Sequence, residues 1–359
     1  LSLMLEGQVA GLSCKTSNPS DSVSTLKSLF SSDLYRSDMK SFILYPEQAV
    51  TPFLKKNIIK PKYIKKGGLL QTIIDHKITN IIERDIDGNF RFSPEFRNSF
   101  DLLKALKKLP ESLKKILAFE KELEKILKIF ELVFNHRNFT GRSGTMFSYE
   151  GIGSIYWHMI SKLLLATQEN YFLVKNSNSP DKKIIKNLGK YYYKIRNGLS
   201  AAKTPKEYGA FPFDPYSHTP SHSGAQQPGM TGQVKEEILT RFGELGCFVR
   251  DGCLIFDTSL LLKEEFLIEK RIFTYFDILK KKLSLEIRKG QLAYTFCQVP
   301  ILYNLSNKDT KLKLTLNDSS KFQIKSNKID KEMSRSIFNR EGLIKIIEFD
   351  VNEKFLFML

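Results

Sequence analysis

The chain has 359 residues, 42% hydrophobic and 26% charged, with 56 Lys and Arg against 39 Asp and Glu for a formal net charge of +17. This composition belongs to a folded protein of roughly two domains at about 150 residues each, with room for a sizeable core, and it excludes a disordered chain. There is no run of 18 apolar residues, so neither a membrane-spanning helix nor a membrane partner is expected.

The basic excess is spread along the chain, in Lys55-Lys56, Lys65-Lys66, Lys182-Lys183 and Lys280-Lys281-Lys282. It has no zinc-finger, RNA-binding-sheet or basic-zipper signature beside it, so no nucleic-acid partner is expected. Leu1 opens the chain just ahead of a helical pattern, Leu3 to Ala10, which reads as a truncated N-terminus; the lack of a signal peptide therefore says nothing.

Residues 1–140 are mostly helical in pattern. Leu69-Leu70, Ile73-Ile74 and Ile78 recur at helical spacing, and Pro110 to Phe134 reads as one long amphipathic helix with a solvated Lys and Glu face. Asp85-Ile86-Asp87-Gly88 reads as a surface turn, because the later ligands of a calcium loop are missing.

Between 137 and 232 glycine, histidine and hydroxyl residues crowd together. A loop with Gly141, Gly144, Gly151 and Gly153 leads into a helix expected over Ser154 to Thr167, with Ile155, Tyr156, Met159, Ile160, Leu163 and Leu164 as its buried stripe. Glu150 stands just ahead of it. It suits acid or base work or a sugar hydroxyl, or else helix capping and an ion pair with Arg142. Trp157 is either a stacking surface for a sugar ring or a core residue. His158 lies off the apolar stripe, either lining a site or as a satisfied polar histidine.

A second loop, Tyr208 to Gln233, carries Asp214, Tyr216, His218, His222, Gln226 and Gln227 among Pro and Gly. His218 and His222 are four apart, but Pro220 between them argues against a helical metal pair, and no metal or organic cofactor is expected. Ser217 beside His218 lacks the strand–turn–helix setting of a serine nucleophile. A helix starts near Thr231-Gly232, with Val234, Ile238, Phe242 and Leu245 as its expected buried stripe. Its first N–H groups, with Gly229, Gly232, His218, His222 and Gln227, suit a phosphate cradle; simple capping by Thr231 is the other reading.

Cys14, Cys247, Cys253 and Cys297 lack zinc-site spacing. Asp251-Gly252 predicts a hairpin pairing Cys247 with Phe256 and Arg250 with Cys253, which sets the two hairpin thiols about 10 Å apart, too far for a bridge. Buried free thiols fit a reducing, cytoplasmic compartment. Beyond about 270 the pattern turns to period two: Leu283, Leu285 and Ile287, a turn at Lys289-Gly290, then Leu292, Tyr294 and Phe296; Leu312, Leu314 and Leu316, a turn at Asn317-Asp318, then Phe322 and Ile324; last Ile344 to Phe349. That predicts an antiparallel β domain built from short hairpins.

The series Asp214-Pro215-Tyr216, Thr231-Gly232, Glu244-Leu245-Gly246 and the hairpin closing on Phe256-Asp257 resembles the C-terminal half of the cellobiose-phosphorylase-like enzymes of the six-hairpin superfamily. The likeness covers about 140 to 265, loosely beyond and poorly before, and Met230 stands where that family carries Trp. It implies a mainly α fold with β: a partial (α/α)6 toroid over 1–268, then a small antiparallel, sandwich-like β domain over 269–359. It also implies an oligosaccharide substrate, cleaved with inversion by phosphorolysis or hydrolysis, inorganic phosphate being the co-substrate in the first case; a homodimer is compatible with it. On this reading Glu150 and Asp214 are the carboxylates to carry catalysis. His218, His222, Thr231 and Gly232 hold phosphate, Gln226 and Gln227 help, and Arg142, Trp157, His158 and Tyr216 complete the binding set. The rival expectation is a non-catalytic carbohydrate-binding or scaffold protein on the same fold.

Overall fold

The computed structural model describes residues 3–14, 18–44, 46, 55–114, 119–134, 155, 157–199, 202–203 and 233–359. The chain falls into two compact units: 1–45 together with 155–359, and 46–154, which interrupts the first in sequence.

The first unit opens with helices α1 (Leu5–Ser13) and α2 (Pro19–Phe30) and a short ladder of β1 (Tyr35–Arg36) with β2 (Ser41–Phe42). Pro19 sits at the start of α2, where its missing N–H leaves no bond unmade.

The second unit contains α3 (Leu69–Asp75), the hairpin β3 (Ile82–Arg84) and β4 (Phe90–Phe92), α4 (Ser99–Lys107), α5 (Glu111–Lys114) and α6 (Phe119–Phe134). Of the helix expected over 110–134, α5 and α6 are the described parts. Leu123, Ile126 and Phe130 of α6 are buried, and Phe130 meets Phe92 edge to face at 5.1 Å. Glu122 on α6 accepts the first N–H of α3, from Leu69 at 3.0 Å; Lys125 and that N–H hold its carboxyl below the usual range. Asn98 caps α4 by accepting from the N–H groups of Phe100 and Asp101. The Asp85–Gly88 segment is the expected turn. Asp85 accepts from the N–H groups of Asp87 and Asn89 and pairs with Arg91 at 2.7 Å. Desolvation pushes its carboxyl up, but Arg91 and Asn89 hold it at about 2.

The first unit resumes with α7 (Trp157–Lys175), which runs two turns past its expected end, and continues through α8 (Lys182–Arg196), α9 (Gln233–Leu245) and the hairpin β5 (Cys247–Arg250) and β6 (Cys253–Phe256). α7 is buried on nearly all sides, so its polar residues are internally satisfied. Asn170 accepts from Ser22 and donates to the carbonyl of Leu12, tying α7 to α2 and α1. Asp181 caps α8, a helix the sequence reading passed over. The hairpin pairs Cys247 with Phe256 and Arg250 with Cys253 as expected, and all four cysteines are free. Burial raises the Cys247 thiol to about 12, so it stays protonated. Gly246 joins α9 to the hairpin at φ +72°, where a Cβ would lie 2.1 Å from the Asp257 carbonyl oxygen.

The remaining elements are β7 (Arg271–Phe276), β8 (Lys282–Ile287), β9 (Gln291–Phe296), β10 (Val299–Ser306), β11 (Lys311–Leu316), β12 (Lys321–Ile324), α10 (Lys331–Asn339) and β13 (Ile344–Asn352). Two expectations are corrected here. The five-stranded sheet, ordered β12-β11-β13-β10-β9, is mixed, because β13 lies parallel to β10 after α10 carries the chain across. β8 and β9 do not form the hairpin expected at Lys289-Gly290. β8 pairs with β7, and β9 pairs with β10 through Cys297-Gln298. The β9–β10 ladder buries Leu292, Ile301 and Tyr303, whereas β8 is largely exposed, so the more apolar pairing prevails. The first unit has two cores. One is helical, around Leu26, Trp157, Leu164 and Tyr192. The other joins Cys247, Leu254 and Phe256 of the hairpin to Ile301, Tyr303 and Phe349 of the sheet.

Candidate functional site

Helices α7 and α9 approach closely because Gly243 has no side chain: a Cβ there would lie 2.1 Å from the Gln168 side-chain oxygen. Gln168 donates to the Thr240 carbonyl at 2.8 Å and to the Tyr192 hydroxyl at 3.2 Å. That hydroxyl donates to Glu244 at 2.6 Å, and Glu244 also accepts from Arg196 at 2.9 Å and Arg241 at 2.7 Å. Arg241 pairs in turn with Glu265 at 2.8 Å. Burial and the Glu244 charge push the Tyr192 phenol well above its ordinary range. Burial disfavours the Arg241 charge, and Glu265 and Glu244 more than offset it. A carboxylate this deep is tolerated because three donors meet it.

This network turns α9 over. Glu236, Thr240 and Glu244 face inward, while Ile238 is 52% exposed and Leu239 is exposed beside it. The expected stripe of Val234, Ile238, Phe242 and Leu245 is therefore corrected: Leu245 is buried, Phe242 half-buried, Ile238 outside, and the Val234 side chain lies outside the described residues. The outer apolar side of α9 lines a cavity of about 680 Å³ with Phe273, Leu292 and Tyr294. Arg241 and Glu265 on its wall are paired with each other.

The same rotation brings together the first turns of α7 and α9. Nε2 of His158 lies 3.2 Å from Oε1 of Glu236. Glu236 is 5% exposed, and its other oxygen is buried with no hydrogen-bond partner. His158 is half-buried. Trp157 packs into the helical core, and the Lys203 ammonium sits 4.7 Å from its ring centroid while donating to the Met39 carbonyl at 2.6 Å. Two helix N-termini, an imidazole and a buried carboxylate thus meet at one end of the helical layer. Positive dipole ends and a donor–acceptor imidazole suit a hydroxyl-rich or anionic guest.

Of the residues expected at the site, Trp157 and His158 are described and stand next to each other on α7. Arg142, Glu150, Asp214, Tyr216, His218, His222, Gln226, Gln227, Thr231 and Gly232 lie outside the described residues. Sequence reasoning missed Glu236. Its position in the first turn after Thr231-Gly232 was the available signal, hidden by treating the inward face as apolar. Among the described residues no group of three or more His, Cys, Asp or Glu could hold a metal ion, and no helix is long and apolar enough to cross a membrane.

Residues 50–137 match the family model of the GH149 phosphorylase insertion domain 2. The match relates the chain to glycoside phosphorylases. It falls within the compact unit 46–154 that interrupts the first unit, as an insertion domain would. It also falls outside the stretch 140–265 that carries the resemblance, in a region read from the sequence only as helical. No curated protein matches the chain.

Proposed function

We propose that the chain carries part of a glycoside phosphorylase that cleaves a glycosidic bond of an oligosaccharide with inversion, using inorganic phosphate. The observation that carries this reading is the insertion-domain match at 50–137, contained in a unit that interrupts the rest of the fold. The helices of the first unit are read as part of an (α/α)6 toroid, with the first turns of α7 and α9 at its mouth. A cytoplasmic location accompanies this reading.

In such a reaction a carboxylic acid protonates the leaving glycosidic oxygen while a phosphate oxygen attacks the anomeric carbon from the opposite face. The carbon–oxygen bond to the leaving sugar breaks as the carbon–oxygen bond to phosphate forms, giving a sugar 1-phosphate and a shortened saccharide. Glu150 and Asp214 are proposed for the carboxylate work. His218, His222, Thr231 and Gly232 are proposed to hold phosphate, with Gln226 and Gln227 beside them. Arg142, Trp157, His158 and Tyr216 are proposed to line the saccharide site.

The test is product analysis with the natural polypeptide that carries these residues, incubated with a panel of oligosaccharides of differing sugar and linkage, with and without phosphate. Sugar 1-phosphate formed only when phosphate is supplied, with inverted configuration, is the expected result. Free sugar without phosphate would replace phosphorolysis by hydrolysis. Saccharide binding with no bond cleavage would leave the non-catalytic binding protein.

A further inference from the structure

A second cavity, of about 530 Å³, lies within the first unit where α7 ends. From His158 to Lys175 the helix rises about 25 Å, so this cavity and the meeting of α7 with α9 belong to opposite ends of α7. Lys175 lines it from the last turn of α7, Arg250 from the end of β5, and Lys325 from the connection between β12 and α10. Cations from three separate stretches of the chain are thus gathered on one concavity. Asp257 is the one carboxylate among the described lining residues, and Lys175 pairs with it at 2.6 Å. Arg250 and Lys325 are exposed and have no carboxylate partner among the described residues. The Arg250 guanidinium lies 5.3 Å from the centroid of the Phe248 ring, a contact that keeps its N–H groups for a ligand.

The rest of the lining is polar over an aromatic base. Phe256 and Phe349 are buried and stacked at 5.1 Å. Asn327 is held in place beside them: its side-chain amide donates to the Phe256 carbonyl and its own carbonyl accepts the Phe256 N–H, both at 2.8 Å. Ser259 carries a buried Oγ with no hydrogen-bond partner among the described residues, a hydroxyl that the protein itself leaves unused. Phe355 is 62% exposed and presents an apolar ring face. Two unpaired cations, with the carboxylate of the lining already neutralised, make a site for an anion rather than for a cation.

We propose that this cavity binds the phosphate monoester of a sugar, with the phosphate on Arg250 and Lys325 and the sugar ring against Phe355. A phosphate monoester carries close to two negative charges at neutral pH and so answers both cations at once. The ring's hydroxyl groups find partners in an amide and hydroxyl lining, and its C–H face suits an aromatic side chain. The anion follows from the lining; that the anion is a sugar's rests also on the phosphorylase reading, whose product is a sugar 1-phosphate.

The test is methyl NMR of the natural polypeptide, following Ile255, which lines the cavity and is assigned through Ile255→Val. The probes are a panel of aldose 1-phosphates, inorganic phosphate and the free aldoses. At least one aldose 1-phosphate should shift the Ile255 signal saturably and more tightly than inorganic phosphate does, and the free aldoses should leave it in place. The double variant Arg250→Ala, Lys325→Ala should raise that Kd at least about tenfold at an unchanged melting temperature, since both side chains are exposed. Phe355→Ala should weaken the ester and leave the affinity for inorganic phosphate unchanged. An Ile255 signal unmoved by every ester at about 10 mM, or an unchanged Kd in the double variant, would overturn the site. Free aldoses binding as tightly as their phosphates would overturn the anion, and inorganic phosphate binding as tightly as every ester would overturn the sugar. The spectra need no turnover, so a failure of phosphorolysis in the product assay overturns the functional reading and leaves them to decide the cavity.

Discussion

Helices α6 and α9 are both amphipathic, and they use their two faces in opposite ways. On α6 the apolar residues Leu123, Ile126 and Phe130 are buried against Phe92, and the Lys and Glu side chains lie outside or half-buried. On α9 Glu236, Thr240 and Glu244 are buried while Ile238 and Leu239 are exposed. The first helix closes the core of a small unit mainly by burial, with a directed bond between Glu122 and the start of α3. The second is held by directed bonds to α7 and α8, and that is what brings Glu236 to His158. Where directed bonds hold a helix, its polar face can be the one turned inward.

The contrast can be tested by substitutions of decreasing effect. Phe130→Ala should destabilise the 46–154 unit by about 4 kcal/mol, as for a fully buried aromatic, measured by denaturant unfolding of the chain; a loss below about 1 kcal/mol would mean that the α6 packing is not what holds that unit. Glu244→Ala should cost about 3 kcal/mol, because Arg196 loses its buried counter-charge, Arg241 keeps only Glu265, and the Tyr192 hydroxyl loses its acceptor. Acid offers a third comparison. The Asp85 carboxyl is held at about 2 by Arg91 and Asn89 against the push of desolvation, compared with about 3.9 in an unfolded chain. The contribution of that pairing is full above the unfolded value and is lost as pH falls through the folded one. Stability should therefore fall more steeply between about pH 4 and pH 2 in the wild type than in Asp85→Asn; parallel curves would show that the turn carries no such linkage. The smallest effect belongs to the outward face of α9: Ile238→Ala should change stability by no more than about 0.5 kcal/mol, whereas a large loss would mean that this face is covered.

Much of the local structure is legible in the sequence. Asp251-Gly252 dictates the hairpin register, because a two-residue turn with φ > 0 at both positions leaves one pairing. The stripe of α6 is legible because its partners are apolar. α8 was missed because Tyr191-Tyr192-Tyr193 reads as much like a strand as a helix. The β8–β9 hairpin was misread because correct turn residues do not decide between competing ladders. The inward face of α9 was misread because Gln168, Tyr192, Arg196 and Glu265, far apart in sequence, supply the partners that make Glu244 tolerable inside. In the candidate site, the place of His158 off the buried stripe of its helix was legible. Glu236 was not, since its pairing is a consequence of that same long-range network.

The most direct measurement is the rate of sugar 1-phosphate formation by the natural polypeptide and by His158→Ala, with melting temperatures recorded for both. Phosphate-dependent product from the wild type, formed at least about tenfold more slowly by His158→Ala at an unchanged melting temperature, is expected if the meeting of α7 and α9 is a saccharide site. Product formed equally fast by both proteins would contradict it.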